Sequence, residues 1–140
     1  MSKIFAIYGG VLQAHDMAQP LALFLYEKIL PGGQLVNRLQ DIGYRVQTLS
    51  DANALVGEAE TKKPLLVIVD LEPKDALAVN AVARLRQNAA TSHIPVIAIA
   101  SAANASVQEN ARTAGATLVV SDQAILLHLN ELLEQALQVD

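Results

Sequence analysis

Acidic side chains stand directly after two of the apolar runs in this chain, where carboxylates could hold a cation. Asp70 follows the run 65–69, Glu72 comes two residues later, and Asp122 closely follows the run 117–120. Carboxylate oxygens are ligands that magnesium and calcium prefer. One hypothesis is therefore a cation site built from these three residues. The alternative is that Asp70 is a strand-end acid that caps or hydrogen-bonds its own loop.

Other reactive residues lack the partners that catalysis needs. His15, His93 and His128 are dispersed, and the absence of cysteine excludes thiolate catalysis and cysteine-rich zinc sites. The Gly9–Gly10 pair belongs to no phosphate-binding pattern, and Ser101 is not in a nucleophile elbow. The sequence therefore predicts a protein that is not an enzyme and holds neither a metal ion nor a cofactor.

Composition narrows the class of protein further. The chain has 140 residues, 52% of them hydrophobic, with a net charge of −4, which suits one domain over residues 1–140 with a sizeable core. No basic stripe is present, so we expect no nucleic-acid partner. The apolar runs are too short to span a bilayer, and the first run is too short for a secretory signal. We therefore expect a cytoplasmic protein without a membrane span.

Alternating strands and helices must position the acidic residues. Short apolar runs predict five strands, at 3–8, 45–49, 65–69, 96–100 and 117–120. Helical spacing predicts helices at about 35–42, 51–60, 76–87, 105–114 and 122–138, the first and fourth of them followed by glycine. This alternation predicts an α/β, flavodoxin-like three-layer sandwich with a five-stranded parallel sheet in the order 2-1-3-4-5.

Two apolar segments exceed what a core helix needs. Residues 20–30 predict a short extra helix with no polar face, between strand 1 and helix 1. It is either a deeply buried helix or a surface for a partner chain. The last helix carries an apolar arc of about 140°, wider than a core face requires, with one leucine outside it. The interface candidates on the two segments are Leu21, Phe24, Leu25, Ile29, Leu126, Leu127, Leu133 and Leu137.

Three stretches resemble the receiver domain of bacterial response regulators. They are 39–46 (LQDIGYRV), 66–73 (LVIVDLEP) and 93–99 (HIPVIAI), the last followed by 114–116 (AGA). The resemblance covers most of the chain except about residues 10–33, which would be an insertion relative to the family pattern. It implies a phosphoacceptor at Asp70, the last residue of the third strand.

The resemblance also implies that the rest of the family's reaction centre is degenerate. The acidic pair that binds magnesium in receivers falls on Tyr8 and Gly9, with Glu72 as a weak substitute. The hydroxyl residue falls on Ala100, with Ser101 one place later. The lysine falls on Asp122, which reverses the charge. Because charge cancellation drives phosphoryl transfer, Asp70 is expected to be vestigial and magnesium to be absent.

We therefore predict a stand-alone, degenerate receiver-like domain that acts in signal transduction through protein contacts, without phosphorylation. Its partner would be a histidine kinase, an output protein or a second copy in a homodimer. One alternative is a working phospho-receiver that accepts a phosphoryl group on Asp70. A second alternative is a small-ligand-binding flavodoxin-like module.

Overall fold

A five-stranded parallel sheet organises the chain. The structure, a computed structural model, describes residues 19–26, 29–71 and 76–138, and the side chains of 29–32 are outside this description. The strands are β1 (Leu21–Leu25), β2 (Arg45–Leu49), β3 (Leu66–Asp70), β4 (Val96–Ile99) and β5 (Leu118–Val120). Their order in the sheet is β2-β1-β3-β4-β5, which confirms the predicted 2-1-3-4-5 arrangement.

The first strand is not where the sequence placed it. Residues 21–25, which we predicted as part of an extra helix, form β1 between β2 and β3, with every residue buried. Helices cover both faces of a central parallel strand, so such a strand needs no polar side. The extra segment between strand 1 and helix 1 is therefore corrected to the first strand itself. The predicted strand at 3–8 lies outside the described residues, and one domain over 1–140 stays a prediction.

Helices follow the strands along the chain. They are α1 (Ile29–Asp41), α2 (Leu55–Lys62), α3 (Ala76–Gln87), α4 (Ala105–Ala114), α5 (Asp122–Leu127) and α6 (Leu129–Leu137), with a 3₁₀ turn at Ala52–Ala54 before α2. Pro31 lies in the first turn of α1, where a missing N–H costs nothing. Gly115 ends α4 with φ +112°, a conformation that favours glycine.

Two hydrophobic cores lie on opposite faces of the sheet. Alternate residues of β1 point to opposite sides, so Leu23 belongs to one core and Phe24 to the other. The first core contains side chains of α2, α3 and α4, including Leu55 and Leu85. The second contains side chains of α1, α5 and α6. This distribution gives the three layers that the sequence predicted.

The last helix is divided in two. We predicted one helix from Asp122 to about Gln138, but His128 leaves helical geometry at φ −123°, ψ 32°, and separates α5 from α6. The Leu126 carbonyl accepts a hydrogen bond from Arg38 Nη1 at 2.9 Å. The Nδ1 atom of His128 lies 3.0 Å from Glu131 Oε1, at the start of α6. The predicted apolar arc therefore does not extend along one continuous helix.

Arg86, in the last turn of α3, forms hydrogen bonds with two other segments of the chain. Its guanidinium donates to the carbonyls of Gly115, Ser92 and Ile94, each at 2.7 Å, and to Thr117 Oγ1 at 2.9 Å. Partial burial lowers the pKa of this guanidinium from its ordinary value. Arg86 therefore joins α3 to the loop before β4 and to the connection between α4 and β5.

Candidate functional site

The carboxyl ends of the strands form one edge of the sheet, where α/β folds place their functional sites. We call this the carboxyl edge; it comprises the described residues that end or follow β1, β3, β4 and β5. Asp70 ends β3 and is 6% exposed, in a core that is otherwise almost entirely apolar. It pairs with Ile99, which in turn pairs with Val120. Asp70 therefore occupies the strand-end position that the resemblance assigns to the phosphoacceptor.

The corrected position of β1 changes which residues stand where receivers carry their acidic pair. Tyr8 and Gly9 lie outside the described residues, and Tyr26 and Glu27 are the residues that follow β1 in the sequence. The Tyr26 ring stacks on Phe24 with centroids 4.5 Å apart, and its backbone N–H donates to the Leu49 carbonyl at 2.9 Å. Glu27 and Glu72 lie outside the described residues. Glu27 is thus an acidic residue that follows the corrected β1 in the sequence, and sequence analysis missed it because it placed the first strand too early.

The end of β4 carries a methyl group at the position where receivers carry a hydroxyl. Ala100 is buried, and its backbone N–H donates to the Val120 carbonyl at 2.9 Å. The Ser101 Oγ, one place later, accepts a hydrogen bond from the Ala103 N–H at 3.1 Å. That serine hydroxyl is therefore part of the turn between β4 and α4.

The residue that the resemblance sets at the lysine position of receivers begins a helix. Ser121 caps α5 by accepting a hydrogen bond from the Ala124 N–H at 3.1 Å, and Asp122 is the first residue of the helix. The Asp122 Oδ1 accepts a hydrogen bond from the Gln123 N–H at 2.9 Å. The positive end of the helix dipole stabilises a carboxylate here and would oppose an ammonium group. Asp122 thus has a local structural role in starting α5.

The described donors do not fit a magnesium site. Magnesium requires nearly octahedral oxygen ligands, commonly from carboxylates and water. The described residues of the carboxyl edge supply the carboxylates Asp70 and Asp122, which are separated by the intervening strand β4. Within 19–26, 29–71 and 76–138, no three acidic or histidine side chains come together in a way that could hold a metal ion. In the same described ranges, no lysine or arginine ends or directly follows β1, β3, β4 or β5.

Four of the eight predicted interface residues are core residues. Leu21, Phe24 and Leu25 are buried in β1, and Leu133 is buried in α6, so these four candidates are wrong. Burial on both sheet faces explains the apolar composition that we interpreted as a contact surface. Ile29 begins α1, and its side chain lies outside the description.

The remaining candidates differ in how much surface they offer. Leu126 and Leu137 are partly buried, whereas Leu127 is 77% exposed. Leu127 lies in a shallow groove of about 390 Å³ between α1 and the junction of α5 with α6. Ile42, 42% exposed, lines the same groove, and sequence analysis missed it because its helical spacing predicted a core position. We call this surface, defined by Arg38, Asp41, Ile42, Leu127 and Glu131, the Leu127 patch.

Comparison with known proteins identifies the fold. No protein-family model and no curated protein matches the chain. Many solved structures do match, and one is the receiver domain of a sensor histidine kinase from Pseudomonas aeruginosa, which holds magnesium in its active-site cleft. It is 21% identical with a TM-score of 0.75, over 86% of this chain and 98% of that one.

Two further matches are similar in extent. Chemotaxis protein CheY4 from Vibrio cholerae is 18% identical, with a TM-score of 0.74 over 85% of this chain and 99% of that one. The receiver domain of NtrX from Brucella abortus is 19% identical, with a TM-score of 0.70 over 85% and 99%. The chain therefore has the fold of response-regulator receiver domains, as the resemblance in the sequence indicated. Among its described helices, none has the length and apolar character needed to cross a membrane.

Proposed function

We propose that this protein is a receiver-like signalling domain that acts by contacting other proteins and is not switched by aspartate phosphorylation. The proposal rests on Asp122, which the sequence resemblance sets at the position of the receiver lysine. Its carboxylate begins α5, so the residue that should neutralise a phosphoryl group is an acid engaged in starting a helix. It would act without enzymatic activity, in the cytoplasm, with a histidine kinase, an output protein or a second copy as its partner.

Charge is the physical reason for this proposal. Phosphorylation of a carboxylate adds negative charge, and receivers offset that charge with magnesium and lysine. Here Asp70 and Asp122 are both acidic, so a phosphoryl group on Asp70 would add negative charge to an edge that already carries a second carboxylate. Ala100 also lacks the hydroxyl that would hydrogen-bond a phosphoryl oxygen.

Treatment with acetyl phosphate and magnesium tests the proposal. We expect no mass increase and no change in the amide spectrum around Asp70, in the native protein or in Asp70→Asn. A stable mass increase in the native protein that Asp70→Asn abolishes would contradict it.

The working phospho-receiver is a second candidate because Glu27 supplies one acid directly after Tyr26 in the sequence. In that case Glu27→Gln would abolish the response to acetyl phosphate and magnesium. If the native protein gives no response, this candidate is rejected. The small-ligand hypothesis stays a prediction.

We infer that the Leu127 patch is the surface through which two copies associate. Its centre is a leucine that is 77% exposed, and its rim carries both a cation, Arg38, and acids, Asp41 and Glu131. A two-fold contact places the same patch on both partners, so a patch with both charge signs can complement itself.

Sedimentation equilibrium should show a dimer that Leu127→Asp dissociates. Leu77→Asp, at a 46% exposed leucine on α3, is the matched control and should leave the dimer intact. A strictly monomeric native protein would contradict this inference.

A further inference from the structure

A second groove, at the amino ends of the strands, is lined by several basic side chains. It has a volume of about 800 Å³ and opens where β1, β2 and β4 begin and α2 ends. We call it the basic groove and define it by Pro20, Arg45, Lys62, Lys63, Leu65 and His93. Among the residues that the structure describes, none of those lining it is acidic, although the chain as a whole has a net charge of −4.

The cations of the basic groove have no acceptor among the described residues, unlike the other described arginines. Arg38, Arg84 and Arg86 donate to protein oxygens, and Arg112 pairs with Glu109. The ion pairs Arg112–Glu109 and His128–Glu131 involve none of the cations of the basic groove. The positive charge of the basic groove is therefore available to an external anion.

Helix stabilisation accounts for only part of this charge. Lys62 is in the last turn of α2, where a cation offsets the helix dipole. Arg45 begins a strand and gains nothing from that effect. Lys63 follows α2 at φ 51°, ψ 60°, and is the one non-glycine residue with positive φ in the described ranges. Glycine is preferred at this position, so a lysine here is retained at a conformational cost.

The walls of the basic groove suit a peptide. Leu65 is 45% exposed although it directly precedes a fully buried strand, and three prolines line the groove beside it. Such a surface can hold an apolar side chain of a ligand between the cations. Its described lining holds no aromatic side chain on which a base could stack, which disfavours a nucleic acid.

We propose that the basic groove binds an acidic segment of a partner protein, with carboxylates on Arg45, Lys62 and Lys63 and an apolar side chain on Leu65. The segment would bind at the sheet edge opposite Asp70. Its binding is therefore independent of the Leu127 patch and of whether Asp70 is phosphorylated. Failure of this proposal would leave the proposed function unaffected, and the reverse also holds.

A fluorescently labelled peptide of glutamates around a central leucine is the probe, read by anisotropy and by amide shifts of the labelled protein. We expect saturable binding that weakens as salt is added, with shifts centred on Lys63 and Leu65. Lys62→Gln together with Lys63→Gln should weaken binding about tenfold, because each exposed charge pair contributes a modest amount. Arg84→Gln together with Arg112→Gln removes the same charge elsewhere and should leave binding nearly unchanged.

Four results would overturn the proposal. The first is the absence of saturable binding to the native protein. The second is equal weakening by the control pair, which would indicate general charge attraction. The third is tighter binding of an oligothymidylate or of anionic lipid vesicles through the same residues, which would assign the groove to another class of ligand. A glutamine version of the peptide that binds as well as the glutamate version would also refute the role of charge.

Discussion

Replacing Asp122 with lysine tests the charge argument at the carboxyl edge most directly. Asp70 is in register with Ile99 and Val120, and Asp122 lies two residues beyond Val120. Two inter-strand spacings and the rise of two residues place the α-carbons of Asp70 and Asp122 about 12 Å apart. At an effective dielectric constant of about 20, a unit charge added at Asp70 is repelled by Asp122 by about 1.4 kcal/mol.

Lysine reverses that interaction. The total change is about 2.8 kcal/mol, which corresponds to about 100-fold tighter binding of an anionic phosphoryl analogue at Asp70. Beryllium fluoride with magnesium, titrated while amide shifts are recorded, measures this affinity. Asp122→Asn removes the repulsion without adding an attraction and should give about half of the free-energy change.

The same substitution should weaken α5. A cation in the first turn opposes the helix dipole, and the loss of the Asp122 carboxylate removes a favourable charge. We expect the free energy of unfolding of Asp122→Lys to fall by about 1 kcal/mol in urea denaturation. If the native protein binds beryllium fluoride as tightly as Asp122→Lys does, or if Asp70→Asn responds equally, the charge argument is refuted.

Three further substitutions test the fold. Phe24→Ala should lower the free energy of unfolding by about 3–5 kcal/mol, because Phe24 is 1% exposed in β1; a loss typical of a surface residue would contradict this position. Arg86→Met should cost about 2–3 kcal/mol in urea denaturation, since four hydrogen bonds disappear, and a change near zero would show that water replaces them. Lys63→Gly should raise the free energy of unfolding, measured by thermal denaturation, by about 0.5–1 kcal/mol, because glycine adopts a positive φ without strain. Destabilisation would contradict the conformational cost assigned to Lys63.

The sequence predicted correctly those elements whose hydrophobic pattern and whose flanking residues indicate the same boundaries. The apolar run 65–69 behind Pro64 is found as the strand Leu66–Asp70, one residue later than predicted, and the helix with one apolar side is found at Ala76–Gln87 as predicted. Gly43 and Gly115 follow α1 and α4, where positive φ is required. Local backbone chemistry is sufficient to define these boundaries.

The errors arise where local pattern is ambiguous. Residues 21–25 have no polar face because helices cover both sides of β1, and a short run of this kind fits a strand or a buried helix segment. The break at His128 depends on the packing of α1 against α5, with Arg38 donating to Leu126, which no local pattern reveals. The misplaced first strand also affected the predicted site. It set the positions of the acidic pair at Tyr8 and Gly9, whereas Tyr26 and Glu27 follow β1 in the sequence.

The hydrogen bonds around Thr117 couple the starts of two strands. Its Oγ1 accepts from Arg86 and also from the Val96 N–H at 3.0 Å, so one hydroxyl connects α3, β4 and β5. Because both hydrogen bonds end on the same hydroxyl, we expect loss of the Arg86 contact to weaken the hydrogen bond of the Val96 N–H as well. In native-state hydrogen exchange, the amides at the starts of β4 and β5 should open as a single cooperative unit together with the end of α3.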